Sequence, residues 1–390
     1  MPSWLIALLA AAFVLYTDDY VIAGILPEIS RDLQVSEGQA GQLVTVFSLT
    51  VAVVAPVAAV VLARLPRHRL ITGALLVFIA ANGLAAVAPS FGVLMAVRVL
   101  AAVAAAAATP AIFAFAARHA PAGKAGRYLA VVSFGVTGSI AAGVPIGAWI
   151  GGTFGWRATF ALMALSGVLV VLAIVVAVPR GEGHGGMLGL REQLSVLLQR
   201  PISLCLIANC SLMTGSMMML TYLAPYLSTV SGADVEERAL AFGLAGAAGF
   251  IGIWLGGTAA DRWGADRALL FGISTIAVAM IVLWLIWFGR PVPLPIVLVA
   301  TTVWGGMAFW NAPAIQVRLT SFAGPLAGQA LGLNTSGTYL GVSCGAALGG
   351  LALAELGVGA LPLISAAFAC GAVLLLACAR HDSMKGNHAP

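Results

Sequence analysis

The sequence predicts an all-α membrane protein of twelve transmembrane helices, built as two six-helix repeats. Three observations carry this. The 390 residues are 61% hydrophobic and only 8% charged, with mean hydropathy +1.04, whereas soluble chains carry roughly 25% charged residues. The apolar residues gather into twelve stretches near the ~20 residues that a spanning helix needs. The first six stretches also align with the last six.

The stretches are 4–27, 38–63, 70–88, 91–117, 125–152, 157–179, 202–228, 239–260, 268–289, 293–317, 326–354 and 359–379. The first, opening "MPSWLIALLAAAF", has no basic n-region and leads into further spans, so it reads as a helix rather than a cleaved leader. Between the sixth and seventh lies a Gly-rich, charged segment, "RGEGHGGMLGLREQLSVLLQR". It divides the chain into 1–179, a linker 180–200, and 201–390. The +5 net charge sorts by side. With the N-terminus inside, fourteen Lys/Arg fall in inner segments and only Arg31, Arg157, Arg238 and Arg290 in outer ones, placing both termini in the cytoplasm of an inner-membrane protein. The five cysteines (Cys205, Cys210, Cys344, Cys370, Cys378) sit in apolar segments without metal-ligand spacing.

The repeat is visible residue by residue. "ILPEIS" (25–30) matches "LAPYLS" (223–228), pairing Pro27 with Pro225 at an offset of 198, and the same offset pairs Arg64 with Arg262 and Arg69 with Arg267. Later, "AGR" (125–127) matches "AGQ" (327–329) at an offset of 202. The ladder Gly143, Gly147, Gly151 answers to Gly341, Gly345, Gly349, and its period of four fits either offset. Parallel six-span repeats imply transport, with the substrate site between the halves.

Only Asp18, Asp19 and Arg98 are left as charges deep in the predicted spans. Intramembrane charge is expensive, so it points to function. Successive helical residues point ~100° apart. Asp19 shares a face with Ala12, Tyr16, Tyr20 and Ala23; Asp18 shares one with Ala11, Leu15, Ile22 and Ile25, suited to lipid or a packed neighbour. Asp19 and Arg98 both lie roughly 12 Å from the outer surface at 1.5 Å per residue, so Asp19 is the expected partner of Arg98 and the expected proton-coupling acid. Burial and the arginine act oppositely on its carboxyl, so a conformational change can switch its protonation. A static ion pair fixing helix packing is the plain alternative, and for Asp18 support from a neighbouring helix or a part in substrate binding.

The Gly ladder, with Pro145 inside it, offers a close helix approach and a bend, serving packing or a pivot. In the seventh span Asn209, Met213 and Met217 share a face, and the tenth carries Trp304, Met307, Trp310 and Asn311. With Tyr16 and Tyr20 these make a candidate lining for an amphipathic organic molecule, although methionines also fill core gaps.

These residues resemble the major facilitator superfamily, and within it the twelve-span drug:proton antiporters, over the whole chain. The signature Gly-x-x-x-Asp-Arg-x-Gly-x-x-Arg is complete at Gly257, Asp261, Arg262, Gly264 and Arg267. Its N-terminal copy, "ARLPRHR", has Ala59, Ala63 and Pro66 in place of Gly, Asp and Gly. Arg98 matches the fourth-span antiporter arginine. "GVPIGAWIGGTFGWRATF" is similar to the fifth-span motif of bacterial sugar-efflux and chloramphenicol-resistance exporters, and "TDDYVIAGILPEI" to their first-span motif, with the family acid at Asp19. The resemblance implies the major facilitator fold and a monomeric proton-coupled exporter of small organic molecules, or of a metabolite such as a sugar, nucleoside or amino acid. Its partners are protons, the substrate and the bilayer, not nucleic acid. It also implies state-dependent contacts at Asp261, Arg262 and Arg267. No phosphate-binding loop is present and every His falls in a cytoplasmic segment, so neither ATP coupling, a cofactor, a bound metal nor an enzymatic site is expected.

Overall fold

The computed structural model describes residues 1–62, 65–121, 124–179 and 195–386. The expected linker 180–200 lies largely outside them, as do Ala63 and Arg64. Twelve helices are long and apolar enough to span a membrane: α1 Ser3–Leu33, α2 Glu37–Val61, α3 Arg67–Ala86, α4 Phe91–Arg118, α5 Gly126–Phe154, α6 Trp156–Ala177, α7 Arg200–Thr221, α8 Val235–Trp263, α9 Ala265–Trp287, α10 Leu294–Ala323, α11 Ala327–Leu356 and α12 Val358–Arg380. Two compact units result, Met1–Met187 and Leu188–Pro390.

Local chemistry explains the boundaries. Ser36 caps α2 with a reciprocal box to Gln39, and Asp234 caps α8 with one to Glu237, satisfying amides that the first turn leaves open. The two boxes are 198 residues apart, so the repeat extends to the caps. Gly155 and Gly357 precede α6 and α12 with φ +88° and +81°, a conformation that costs a residue bearing Cβ dearly.

Several spans outrun their expected limits. α1 continues six residues past Pro27, and α10 reaches Ala323 rather than 317. α5 is interrupted by a π turn, Ser139–Gly143, two residues before Pro145. The proline has no N–H to give the preceding turn, and a π turn is one way a helix absorbs that loss.

In the first unit α1 packs on α2, α4, α5 and α6, while α3 packs on α4 and α6 and α2 on α4. In the second, α7 packs on α11 and α12, α9 on α10 and α12, and α8 on α10. Most pairings repeat: α1 with α5 and α6 answers to α7 with α11 and α12, α3 with α4 and α6 to α9 with α10 and α12, and α2 with α4 to α8 with α10. α1 and α7 are the most enclosed spans of their units, so polar groups on them are the ones most thoroughly removed from water and lipid.

Candidate functional site

The site in the first unit begins with how α5 is seated. A Cβ at Gly143 would strike Thr17, one at Gly147 would strike Val21, and one at Gly151 would strike Ile25. The ladder therefore runs along α1 at i, i+4 and i+8, and its first rung touches the residue before Asp18. Thr159 of α6 closes the junction by donating its hydroxyl to the Gly147 carbonyl at 2.9 Å.

The geometry at Asp18 overturns one expectation. Arg98 Nη1 donates to Asp18 Oδ2 at 2.8 Å, and Nη2 donates to the Asp18 backbone carbonyl at 3.2 Å. Arg98 is thus paired with Asp18. The shared depth holds, but the face does not. The apolar neighbours Ala11, Leu15, Ile22 and Ile25 are all buried, so this face packs against protein. An aliphatic surface looks the same whether lipid or a helix covers it, and that ambiguity misdirected the assignment.

Both partners are enclosed, Asp18 at 0% and Arg98 at 1% exposure. The guanidinium carbon lies 4.3 Å from the Phe47 ring centroid, an arrangement that favours a flat cation. Asn82 of α3 stands beside the Asp18 carboxyl and is itself buried. Sequence reasoning missed Asn82, although an amide inside "AANGLAA" is the polar interruption that marks it. Asp18 Oδ1, Asn82 Oδ1 and Arg98 Nε have no hydrogen-bond partner. The cluster is therefore incompletely satisfied, which suits groups that change partners or protonation.

Asp19 is also buried. On its side of α1, Tyr16 and Tyr20 are half-buried and stack with centroids 6.4 Å apart. At the end of α1, Asp32 accepts from Trp156 Nε1 at 3.0 Å and pairs with Arg157. Arg157 also donates to the Ala88 carbonyl at 2.9 Å. "WRATF" thus ties together the ends of α1, α3 and α6.

In the second unit Ser216 occupies the repeat position of Asp18. It is buried and its Oγ has no hydrogen-bond partner. The α1–α4 ion pair thus has no counterpart there. Asn209 donates to Thr338 Oγ1 at 2.9 Å, and Thr338 donates to the Asn334 carbonyl at 2.9 Å. Met213 is half-buried and Met217 buried. Asn334 and Thr338 were not singled out from sequence; the polar run "NTSGTY" in α11 was their signal.

Other residues of the expected lining have packing duties. Trp310 donates to the Ala268 carbonyl at 3.0 Å and packs on Phe271, with centroids 5.5 Å apart. Asn311 donates to the Met307 carbonyl at 2.9 Å, and its side chain meets α9 at Gly272. Both knit α10 to α9.

Among the signature residues, Asp261, Arg262 and Arg267 are exposed at the α8–α9 turn, and Gly264 takes φ +83°. Gly257 is the exception. A Cβ there meets only Pro313 at ordinary contact distance, whereas Gly252 and Gly256 press on the α10 backbone at Gly306 and Trp310. Arg318 was placed in an inner segment beyond the tenth span, but it is buried at 5% within α10 and paired with Asp266. The longer α10 carries it inside.

Twelve helices long and apolar enough to span a membrane, in two repeated six-helix units with a buried acid–base pair in the first, define an integral membrane protein of the transporter class. The family model described as Major Facilitator Superfamily matches residues 8–326. The chain belongs to the major facilitator superfamily. It is 30% identical to the uncharacterized MFS-type transporter YbcL of Bacillus subtilis (strain 168), over 93% of this chain and 92% of that one. It is 31% identical to the inner membrane transport protein YdhP of Escherichia coli (strain K12), over 95% and 94%. A chloramphenicol resistance protein of Streptomyces lividans is 34% identical over 67% of this chain and 68% of its own length. In fold the chain is similar to a D-xylose-proton symporter, with TM-score 0.78 at 16% identity, covering 96% of each chain.

Proposed function

We propose that this protein exports small amphipathic organic molecules from the cytoplasm by proton antiport through alternating access, as an inner-membrane protein with both termini inside. The observation that carries this is the fully buried Asp18–Arg98 pair, gripped on side chain and backbone and set beside the Gly ladder. Likeness to a chloramphenicol resistance protein supports efflux of organic molecules.

The coupling role moves from Asp19 to Asp18, because protonating Asp18 directly cancels the attraction that holds Arg98. Loss of that charge frees the guanidinium and loosens α1 from α4; deprotonation restores the pair. Asp19, beside the stacked tyrosines, is the carboxylate for a cationic or hydrogen-bonding substrate group.

Asn preserves the shape of Asp but cannot ionise, so it isolates the charge. In proteoliposomes with an imposed pH gradient, Asp18→Asn is expected to abolish uphill efflux while exchange of labelled substrate persists. Asp19→Asn is expected to keep proton-driven efflux with altered apparent affinity. Uphill pumping by Asp18→Asn, with its loss in Asp19→Asn, reverses the assignment. The Asn209–Thr338–Asn334 chain favours a second reading, a hydroxylated metabolite such as a sugar or nucleoside. A metabolite-export screen beside a drug-resistance panel decides between them.

A further inference from the structure

The second unit contains a charged groove that neither proton coupling nor the expected lining uses. Asp266, in the first turn of α9, receives Arg318 from α10 and Arg380 from α12, the latter at 3.4 Å. Arg318 also donates to the Leu376 carbonyl at 2.8 Å, and its Nε has no hydrogen-bond partner. These groups head a groove of about 280 Å³ between α9 and α12 whose walls descend along Leu270, Ile273, Val373 and Leu376.

Its chemistry is lopsided. Among the described residues two guanidiniums meet one carboxylate at the polar end, while the walls are aliphatic. Arg318 is nine-tenths buried and lines the groove, and its Nε is sealed without a hydrogen-bond partner, so the positive end is built into the fold. Leu270, 54% exposed, forms the ridge between this groove and a shallower hollow headed by Arg267. Three arginines therefore stand at one border of the spans, with an apolar channel on either side of one leucine.

A free phosphate would use the arginines and leave both channels idle. A detergent-like chain would use the channels and leave the charge idle. An anionic diacyl lipid uses both. We propose that the α9–α12 groove is a binding site for one anionic phospholipid, its phosphate at Arg380 and Arg318 and its chains straddling Leu270. Basic pockets between spanning helices are suited to such headgroups.

The test is native mass spectrometry of the purified full chain, equilibrated in mild detergent with equimolar palmitoyl-oleoyl phosphatidylglycerol and phosphatidylcholine. The anionic lipid is expected to be retained about fivefold over the zwitterionic one, the effect of roughly one interfacial arginine. Arg380→Gln should remove that preference. Leu270→Trp, which fills the groove without touching charge, should lower retention of the anionic lipid. Arg290→Gln, altering a guanidinium stacked on Trp287 beyond the opposite end of α9, should leave the preference intact. No preference in the unaltered protein, or equal losses in Arg290→Gln and Arg380→Gln, overturns the proposal. Displacement of the lipid by millimolar inorganic phosphate, with Leu270→Trp silent, leaves only an anion site and overturns it as well. So does a lipid-free dimer that Leu270→Trp abolishes, which would make the groove an interface between copies. Elution as a monodisperse peak qualifies each variant, and the lipid preference of the unaltered chain decides the matter should a variant not fold.

Discussion

Arg98 is held at two points by one residue, and that geometry sets what can replace it. A lysine presents a compact ammonium that cannot reach carboxylate and backbone carbonyl together, nor lie flat over Phe47. Arg98→Lys is therefore expected to lose most efflux despite keeping the charge. Arg98→Ala leaves Asp18 buried and unpaired, a loss of about 3–5 kcal/mol for a broken interior pair. It should melt well below the unaltered protein in detergent. Adding Asp18→Asn removes the stranded charge, so the double variant should recover part of the melting temperature while remaining uncoupled. An Arg98→Ala protein that melts normally would show the pair to be energetically idle. That a buried acid–base cluster lies inside the first unit was legible from the rarity of charge in apolar sequence. Which aspartate faced α4 was not, because a buried aliphatic face and a lipid-facing one have the same composition.

At the scale of helices, the glycine ladders show how far a local period carries. Gly143, Gly147 and Gly151 announced a close approach through their spacing alone, but the partner became visible only in Thr17, Val21 and Ile25. The structure also resolves the register that a four-residue period left open. Gly345 meets α7 at Thr214 and Met218, and Gly349 at Met218 and Tyr222. Thr17 maps to Gly215 in α7, next to Thr214, so Gly143 answers to Gly345 at the offset of 202. Motif membership is a weaker guide than contact. Gly147→Ala would drive a methyl into Val21, with an overpacking cost of about 1–3 kcal/mol. Gly256→Ala would collide with the α10 backbone and should cost at least as much. Gly257→Ala has room and should shift stability by no more than about 0.5 kcal/mol. Melting curves of the three variants, compared with efflux rates, test that ranking; a Gly257→Ala protein as unstable as Gly256→Ala would defeat it.

Across the whole molecule the repeat is conserved in scaffolding and broken in chemistry. Capping boxes, most helix pairings and the positive-φ glycine before the sixth span recur in the second unit, whereas Asp18 becomes Ser216 and the signature turn differs between copies. At that turn Gly264 has φ +83°, and its counterpart Pro66 has φ −55°, since a proline ring holds φ near −65°. The two turns therefore cannot have the same shape, and the complete signature belongs to the second unit alone. This separates two variants that sequence comparison would treat alike. Gly264→Ala forces a side chain into backbone space that only glycine occupies freely, at about 1–3 kcal/mol, so it should lower the melting temperature. Arg262 is exposed at the end of α8, so Arg262→Ala should melt normally. If its guanidinium makes a contact in one transport state and loses it in the other, the variant should bind substrate with unchanged affinity and turn over more slowly. Equilibrium binding beside efflux rates in proteoliposomes provides the measurement. A large affinity loss with normal turnover would place Arg262 at the substrate instead and remove it from the conformational cycle.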